Sequence, residues 1–182
     1  MRTAQRLGFV GARPVEEVVE HARHFVEALD GIVAVPGDEL GATRRPRVVD
    51  IGSGGGVPGL VIANDRPDLA VTLVDRRQKR TDFLQRAVGA LGYGGWVTVR
   101  CCDTDALLAA GERFDAVTAR GFGPPSRTLR TAAGLVRPGG RIVISEPPAG
   151  DRWPAREVAK LGLAHRRHGR VAVFEAVPGP AR

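Results

Sequence analysis

The chain has 182 residues, 43% of them hydrophobic, which suits one domain with a substantial core and leaves no apolar run long enough to span a bilayer. Lys and Arg number 27 against 20 Asp and Glu, and the net charge of +7 points toward an anionic partner, nucleic acid first. Coding bias is the competing explanation, because Lys79 and Lys160 are the only lysines and every other cation is Arg. The two cysteines, Cys101 and Cys102, are adjacent, and neighbouring strand positions point to opposite faces. A bridge between them is not expected, and a reduced, cytoplasmic setting is. The N-terminus has a basic start without a long apolar segment or cleavage-like site, so no signal peptide is expected.

Arg13-Pro14 opens a helix with Val15, Val18, Val19, Ala22, Val26 and Leu29 at helical spacing. His21 and His24 lie on or near that face, read as structural, and suggest no metal site. Residues 31–45 contain Pro36, Gly37 and Gly41 and read as a loop. Val48, Val49 and Ile51 form a short buried strand closed by Asp50. Four glycines follow within five residues (Gly52, Gly54, Gly55 and Gly56), then Pro58, which can initiate a helix from Leu60. That helix ends at Arg66-Pro67-Asp68.

Residues 70–74 form a second strand with Asp75 at its end. Residues 76–91 form a helix with Phe83, Leu84, Ala87, Val88 and Leu91 inward, broken by Gly92, Gly94 and Gly95. A third strand at 96–100 leads through Cys101 to Asp105 into a short helix at 106–110. A fourth strand at 114–118 is followed by Ala119-Arg120-Gly121-Phe122 and a helix at 126–136. Arg137-Pro138-Gly139-Gly140 reads as a tight turn into a fifth strand at 141–145, ended by Glu146-Pro147-Pro148. After a helix at 154–161, residues 163–168 and 170–177 read as a hairpin around Gly169, and 178–182 as a loose tail.

This order predicts one domain over 1–182: an N-terminal helix and loop at 1–45, and a Rossmann-like α/β core at 46–177. Its sheet is mostly parallel and seven-stranded, closed by an antiparallel C-terminal hairpin. Ligands in such sheets bind at the carboxyl ends of the strands, which here carry Asp50 to Gly56, Asp75, Cys102 to Asp105, Arg120 to Gly123, and Ser145-Glu146.

Two cofactors compete for the glycine turn. Gly54 to Gly59 satisfies G-x-G-x-x-G, the dinucleotide pattern. Asp50 at the strand end would repel a pyrophosphate, however, and Pro58 removes an N–H where phosphate wants donors. S-adenosylmethionine (SAM) carries no phosphate and fits better. Asp50 could stabilise the turn or meet the cationic amino-acid end; Gly52, Gly54 and Gly56 let backbone approach; Asp75 is placed for the ribose hydroxyls. Asp103, Thr104 and Asp105 are placed near the adenine. Each acid also has a structural alternative: Asp50 as a brace of the turn, Asp75, Asp103 and Asp105 as helix-start residues.

V-V-D-I-G-S-G-G-G-V-P-G-L, R-P-D-L-A-V-T-L-V-D, K-R-T-D-F-L, F-D-A-V-T-A-R and L-V-R-P-G-G-R together resemble the RsmG (GidB) family across about residues 15 to 145. The resemblance implies a SAM-dependent methyltransferase acting on N7 of a guanine in 16S ribosomal RNA in the bacterial cytoplasm, with ribosomal RNA or the small subunit as partner. It implies that Gly52, Ser53, Gly54, Gly56 and Pro58 shape the SAM pocket, that Asp75 holds the ribose, and that Thr104 and Asp105 flank the adenine. It also implies that Lys79 and Arg120 act on the substrate side, as the catalytic positions, with Arg120 bordering the cofactor. The family carries more N-terminal helix and an N-L-T segment without counterpart here, so the chain reads as a shortened or divergent member. Cys102 replaces a family Arg, and Ser145-Glu146-Pro147 replaces a Lys-Gly, so Glu146 is expected to place a carboxylate at the substrate edge.

Guanine N7 already offers a lone pair, so the reaction needs positioning and electrostatics rather than a general base. Arg76, Arg77, Lys79 and Arg80, with Arg120, Arg127 and Arg130, form either a phosphate-binding rim or a solvated face. Phe122 and Trp153 either stack on a base or pack. A small-molecule methyltransferase and a non-catalytic SAM- or RNA-binding relative remain the alternatives.

Overall fold

The computed structural model describes residues 1–33, 35–36, 43–147 and 152–176. Gly37 and Gly41 of the expected loop, Pro148, Val177 and the expected tail at 178–182 lie outside them. The elements in chain order are α1 (Arg2–Arg6), α2 (Val15–Ala28), β1 (Val35–Pro36), β2 (Thr43–Arg44), β3 (Arg47–Ile51), α3 (Gly59–Asp65), β4 (Ala70–Asp75), α4 (Gln78–Leu91) and β5 (Val97–Cys101). They continue with α5 (Thr104–Ala109), β6 (Phe114–Ala119), α6 (Pro125–Leu135), β7 (Val136–Ser145), α7 (Ala155–Lys160), β8 (Leu163–His168) and β9 (Val171–Ala176).

The strands β3 to β9 form one seven-stranded sheet in the order β5-β4-β3-β6-β7-β9-β8. The first five pair in parallel, and β9 runs antiparallel between β7 and β8. The expected fold class is therefore observed. Strand order reverses between β3 and β6, which opens a crevice at their carboxyl ends. Val48, Val71, Leu73 and Val143 pack with Phe25, Ile62 and Leu84 on one face. Val49, Ile51, Val117 and Ile144 pack with Leu107, Leu129 and Leu135 on the other. Successive strand residues thus feed opposite cores, which is why these strands read as continuous apolar runs.

The structure departs from the expected elements where tertiary contact overrides local pattern. α1 was not expected; five residues are too short to show a period, and burial of Ala4 ties the helix down. In α2, Phe25 joins Val18 and Ala22 on the buried face, whereas Val15, Val19 and Val26 are only partly covered. Leu91 is exposed, because the chain turns away at Gly92 in a left-handed conformation. The Pro138-Gly139-Gly140 turn lies inside β7, where the pairing slips from Phe114↔Val136 to Ala116↔Arg141. A Cβ at Gly140 would stand 2.8 Å from the Asp115 carbonyl oxygen, which explains glycine there. α5 starts earlier than expected, since the Asp103 carboxylate accepts from the Asp105 N–H and caps it.

The glycine turn is braced from beneath by Asp50, which is fully buried. Thr118 Oγ1 donates to Asp50 Oδ1 at 2.9 Å, and the Gly59 N–H donates to Oδ2 at 3.3 Å. One carboxylate thus ties β3 to β6 and to the first turn of α3. Ser53 ties the same turn to β4: its hydroxyl donates to the Asp50 carbonyl at 2.7 Å and accepts from the Val74 N–H at 3.0 Å. Gly52, Gly54 and Gly56 take φ of +70°, +53° and +88°, values that a residue with a Cβ adopts only under strain.

Burial pushes the Asp50 carboxyl up from 3.8 to about 6, against the hydrogen bonds from Thr118 and Gly59. The folded state holds this proton more tightly than the unfolded one. The contribution to stability is therefore full below pH 4 and is lost as pH rises through 6, by about 3 kcal/mol. His21 runs the other way. Burial, with Arg120 and Arg170 beside it, lowers it to about 4, so its contribution is full above pH 6.5 and is lost as pH falls through 4. The two oppose each other in the native chain, and a variant separates them. Relative to the native chain, Asp50→Asn should gain about 3 kcal/mol of unfolding free energy between pH 4 and pH 7 in urea titrations. A difference that stays flat across this range contradicts the buried-carboxylate brace.

Candidate cofactor and substrate site

A cleft of about 260 Å³ opens at the carboxyl edge of the sheet, above the β3–α3 turn. Gly52 and Asp75 lie on one side, Cys102 and Thr104 on another, and Phe122 closes the wall toward β6. A Cβ at Gly52 would stand 2.9 Å from Phe122 Cδ2, so the turn and the wall are in contact. Arg76, Arg77, Arg80 and Arg127 form a cationic rim.

Of the residues read from the sequence, Gly52, Asp75 and Thr104 meet in this cleft. Asp50, Ser53, Gly54, Gly56 and Pro58 are buried in or beneath the turn and shape it from behind. Asp105 is exposed in the first turn of α5, away from the cleft lining. Lys79 lines a second hollow with Leu7, Phe9 and Gln78, and that hollow shares Arg77 and Arg80 with the cleft. Arg120 follows β6 and is partly buried on the side of Asp50. Arg130 faces Glu157 at 3.9 Å and takes no part in the rim.

Asp75 is buried, and its carboxylate is engaged. Oδ2 accepts from the Gly54 N–H at 3.0 Å and from Arg80 Nη1 at 3.2 Å; Oδ1 accepts from the Arg77 N–H at 2.9 Å. A carboxylate offers about four acceptor positions, so Oδ1 keeps one for an incoming hydroxyl. A second hydroxyl would take the place of Arg80. Arg80 is in turn held over the Phe9 ring at 6.0 Å, and Phe9 packs edge-on against Phe83 at 5.6 Å.

The start of α3 has no free donors to offer a phosphate. The Gly59 N–H is given to Asp50, the Leu60 N–H to the Gly56 carbonyl at 2.7 Å, and the Val61 N–H to the Pro58 carbonyl at 2.9 Å. A dinucleotide pyrophosphate needs those groups, so the geometry agrees with the phosphate-free cofactor.

Sequence reasoning missed the N-terminal segment. Phe9 and Val10 lie across the turn: a Cβ at Gly55 would stand 2.3 Å from Val10 Cγ2 and 3.1 Å from the Phe9 carbonyl oxygen. No local pattern signals a contact between positions so far apart in the chain. One other expectation is corrected, and of the two readings of Trp153 one is observed. Glu146 does not face the substrate edge; it is buried, accepts from Trp153 Nε1 at 2.5 Å, and pairs with Arg152 at 3.2 Å. Trp153 is a packing residue, buried and edge-on to Phe174 at 5.0 Å, and so is not available to stack on a base. Phe122 both packs on the core and lines the cleft.

The family model described as GidB, rRNA small subunit methyltransferase G, matches residues 1–147. A ribosomal RNA small subunit methyltransferase G of Salinispora arenicola is 39% identical over 141 residues, 75% of this chain and 54% of that protein. One from Stenotrophomonas maltophilia is 38% identical over 134 residues, 66% of this chain and 61% of that protein. The chain spans little more than half the length of these relatives. Among solved structures, a SAM-dependent methyltransferase from Thiobacillus denitrificans in complex with S-adenosyl-L-homocysteine is similar at 28% identity and a TM-score of 0.53, over 78% of this chain and 53% of that one. An O-methyltransferase family protein from Burkholderia thailandensis shares the fold at a TM-score of 0.61 and 19% identity, over 92% of this chain and 59% of that one. With the family match covering most of the chain and the expected sheet, turn and cleft in place, the chain belongs to the GidB family, rRNA small subunit methyltransferase G.

Proposed function

We propose that this chain is a methyltransferase domain that binds SAM in the cleft at Gly52 and Asp75 and transfers its methyl group to N7 of a guanine in 16S ribosomal RNA, in the bacterial cytoplasm. The observation that carries this reading is the cleft itself. It has a glycine floor open to backbone contact, a buried acid at the end of β4 and a cationic rim, in a chain of the GidB family. Asp75, whose Oδ1 keeps one acceptor position, and Thr104 would hold the adenosine, and Gly52 with Gly121 and Phe122 would hold the methionyl end.

In-line transfer to a nitrogen lone pair needs no base, so the protein's work is alignment. SAM, when bound, would supply an electrophilic methyl group on sulfur, and the cleft wall at Gly121 and Phe122 would hold the guanine with its N7 lone pair toward it. Arg76, Arg77, Lys79 and Arg127 face solvent with no carboxylate partner among the described residues and supply the attraction for RNA. The burial of Glu146 against Trp153 and Arg152 removes one of the two observations that favoured a small-molecule acceptor, the other being the shorter N-terminal helical part.

Incubation with labelled SAM and small ribosomal subunits from a strain lacking this gene should place label in N7-methylguanosine, read by mass spectrometry. Label in a metabolite extract and none in the subunits overturns the RNA substrate. Asp75→Asn should weaken SAM binding roughly tenfold or more by calorimetry, the effect of losing a charge-assisted hydrogen bond to the ribose. An unchanged affinity would remove Asp75 from the cofactor site.

A further inference from the structure

The second hollow has a volume of about 480 Å³ and opens beside the cleft. Its floor is the N-terminal segment, with Leu7 and Gly8 just after α1 and then Phe9. Its wall is the start of α4 and the residue before it, with Arg77, Lys79 and Arg80. Arg77 and Arg80 also line the cleft, so the two spaces share one cationic border. Direct contacts fix that border. Arg80 Nη1 donates to Asp75 Oδ2 at 3.2 Å on the cleft side, while its guanidinium carbon stands 6.0 Å from the centre of the Phe9 ring on the other. Phe9 is held edge-on to Phe83 at 5.6 Å, and its carbonyl oxygen lies over Gly55. The floor of the hollow is therefore pinned to the same turn that floors the cleft.

Two kinds of surface meet in this hollow. Leu7 leaves 49% of its surface exposed in the floor, beside the half-buried ring of Phe9. Arg77 and Lys79 are exposed in the wall, and neither has a carboxylate partner among the described residues. No acid is among the described residues that line the hollow. A peptide that filled it would have to bring an apolar side chain and acids together. A nucleotide brings both in one unit: a base with flat apolar faces, and a phosphodiester with negative charge. The hollow borders the cleft at Arg80 and Asp75, and shares neither Gly121 nor Phe122 with it. Its occupant is therefore not the base that receives the methyl group.

We propose that the hollow between Leu7, Phe9 and Lys79 is a base-binding subsite that takes one unpaired nucleotide of the RNA strand flanking the target guanine. This rests on the RNA reading above and names the place where a second base is gripped. The base packs on Leu7 and Phe9, Arg77 and Lys79 meet its phosphates, and Arg80 separates it from the Asp75 side of the cleft. A strand held at two bases is fixed in direction as well as position, which is the alignment that transfer to N7 requires.

The test uses a single-stranded RNA centred on the guanine labelled in the transfer assay, with one base at a time removed to leave an abasic sugar. Binding is followed by anisotropy against salt in the presence of S-adenosylhomocysteine. With the native chain, one abasic position outside the target should weaken binding roughly tenfold. A 5-iodouridine at that position should crosslink to the segment Leu7 to Phe9 on irradiation, read by mass spectrometry. Leu7→Ser should erase the penalty of that abasic position and leave the salt slope unchanged, since packing on a base releases no counterion. Lys79→Gln should instead lower the salt slope by about one and leave the penalty in place. The SAM affinity of Leu7→Ser, measured by calorimetry, should stay within about twofold of native, which also reports that the variant is folded. A scan that is flat outside the target, or a crosslink confined to other segments, overturns the subsite while the RNA reading stands. Lost SAM affinity in folded Leu7→Ser with the abasic penalty intact assigns the hollow to the cofactor and also overturns the proposal. A native chain that neither labels nor binds RNA overturns the RNA reading, and the subsite with it.

Discussion

A single buried carboxylate holds the working edge of this molecule together. Asp50 stands at the end of β3, takes the Thr118 hydroxyl from β6 on one oxygen and the Gly59 N–H of α3 on the other, and so fixes the distance between the two strands where the order reverses. The crevice between β3 and β6 is the only place where a doubly wound sheet splays its loops apart, and this acid sits at its base. Its burial carries an electrostatic cost, visible in a carboxyl that ionises near pH 6. The three hydrogen-bonding groups around it, counting the Ser53 hydroxyl on its carbonyl, keep that cost tolerable. In exchange the turn above can remain pure backbone. Gly59 shows how tight the arrangement is: a Cβ there would stand 2.2 Å from Leu73 Cδ2 and 2.8 Å from Asp50 Oδ2.

Much of this was legible in the sequence, because the relevant signals are local. The strands are short apolar runs punctuated by glycine and acid. The left-handed turn needs glycine at alternate positions, and the helices begin at Pro58 and Pro125 or end at Gly92. In the sequence Asp50 fits either a ligand contact or a brace; its burial and its bonds to Thr118 and Gly59 show the brace. Asp103 was similarly ambiguous, and the structure has it accepting from the Asp105 N–H. What the sequence hid are contacts between distant segments. Phe9 and Val10 cover Gly55, and Glu146 turns inward to Trp153. None of these has a period or a spacing, since each depends on how two elements pack.

The excess positive charge also resolves into parts with different work. Composition could not separate coding bias from function, because an arginine counts the same wherever it sits. In three dimensions Arg44 and Arg137, Arg47 and Arg141, at the amino ends of the strands, pair with Asp115, Glu112 and Glu175. Arg76, Arg77, Arg80 and Arg127, at the carboxyl ends, form the rim of the cleft. The apparent loss of cations that Glu146 suggested is likewise local, since Arg152 and Trp153 take up its charge within the fold.

The central claim is that the Asp50-braced turn holds a cofactor without phosphate. Calorimetry of the native chain with SAM and NAD in parallel tests it most directly. The account predicts saturable one-to-one binding of SAM and no binding of NAD, because the donors at the start of α3 are already given to Asp50, Gly56 and Pro58. Binding of NAD with no binding of SAM would contradict it.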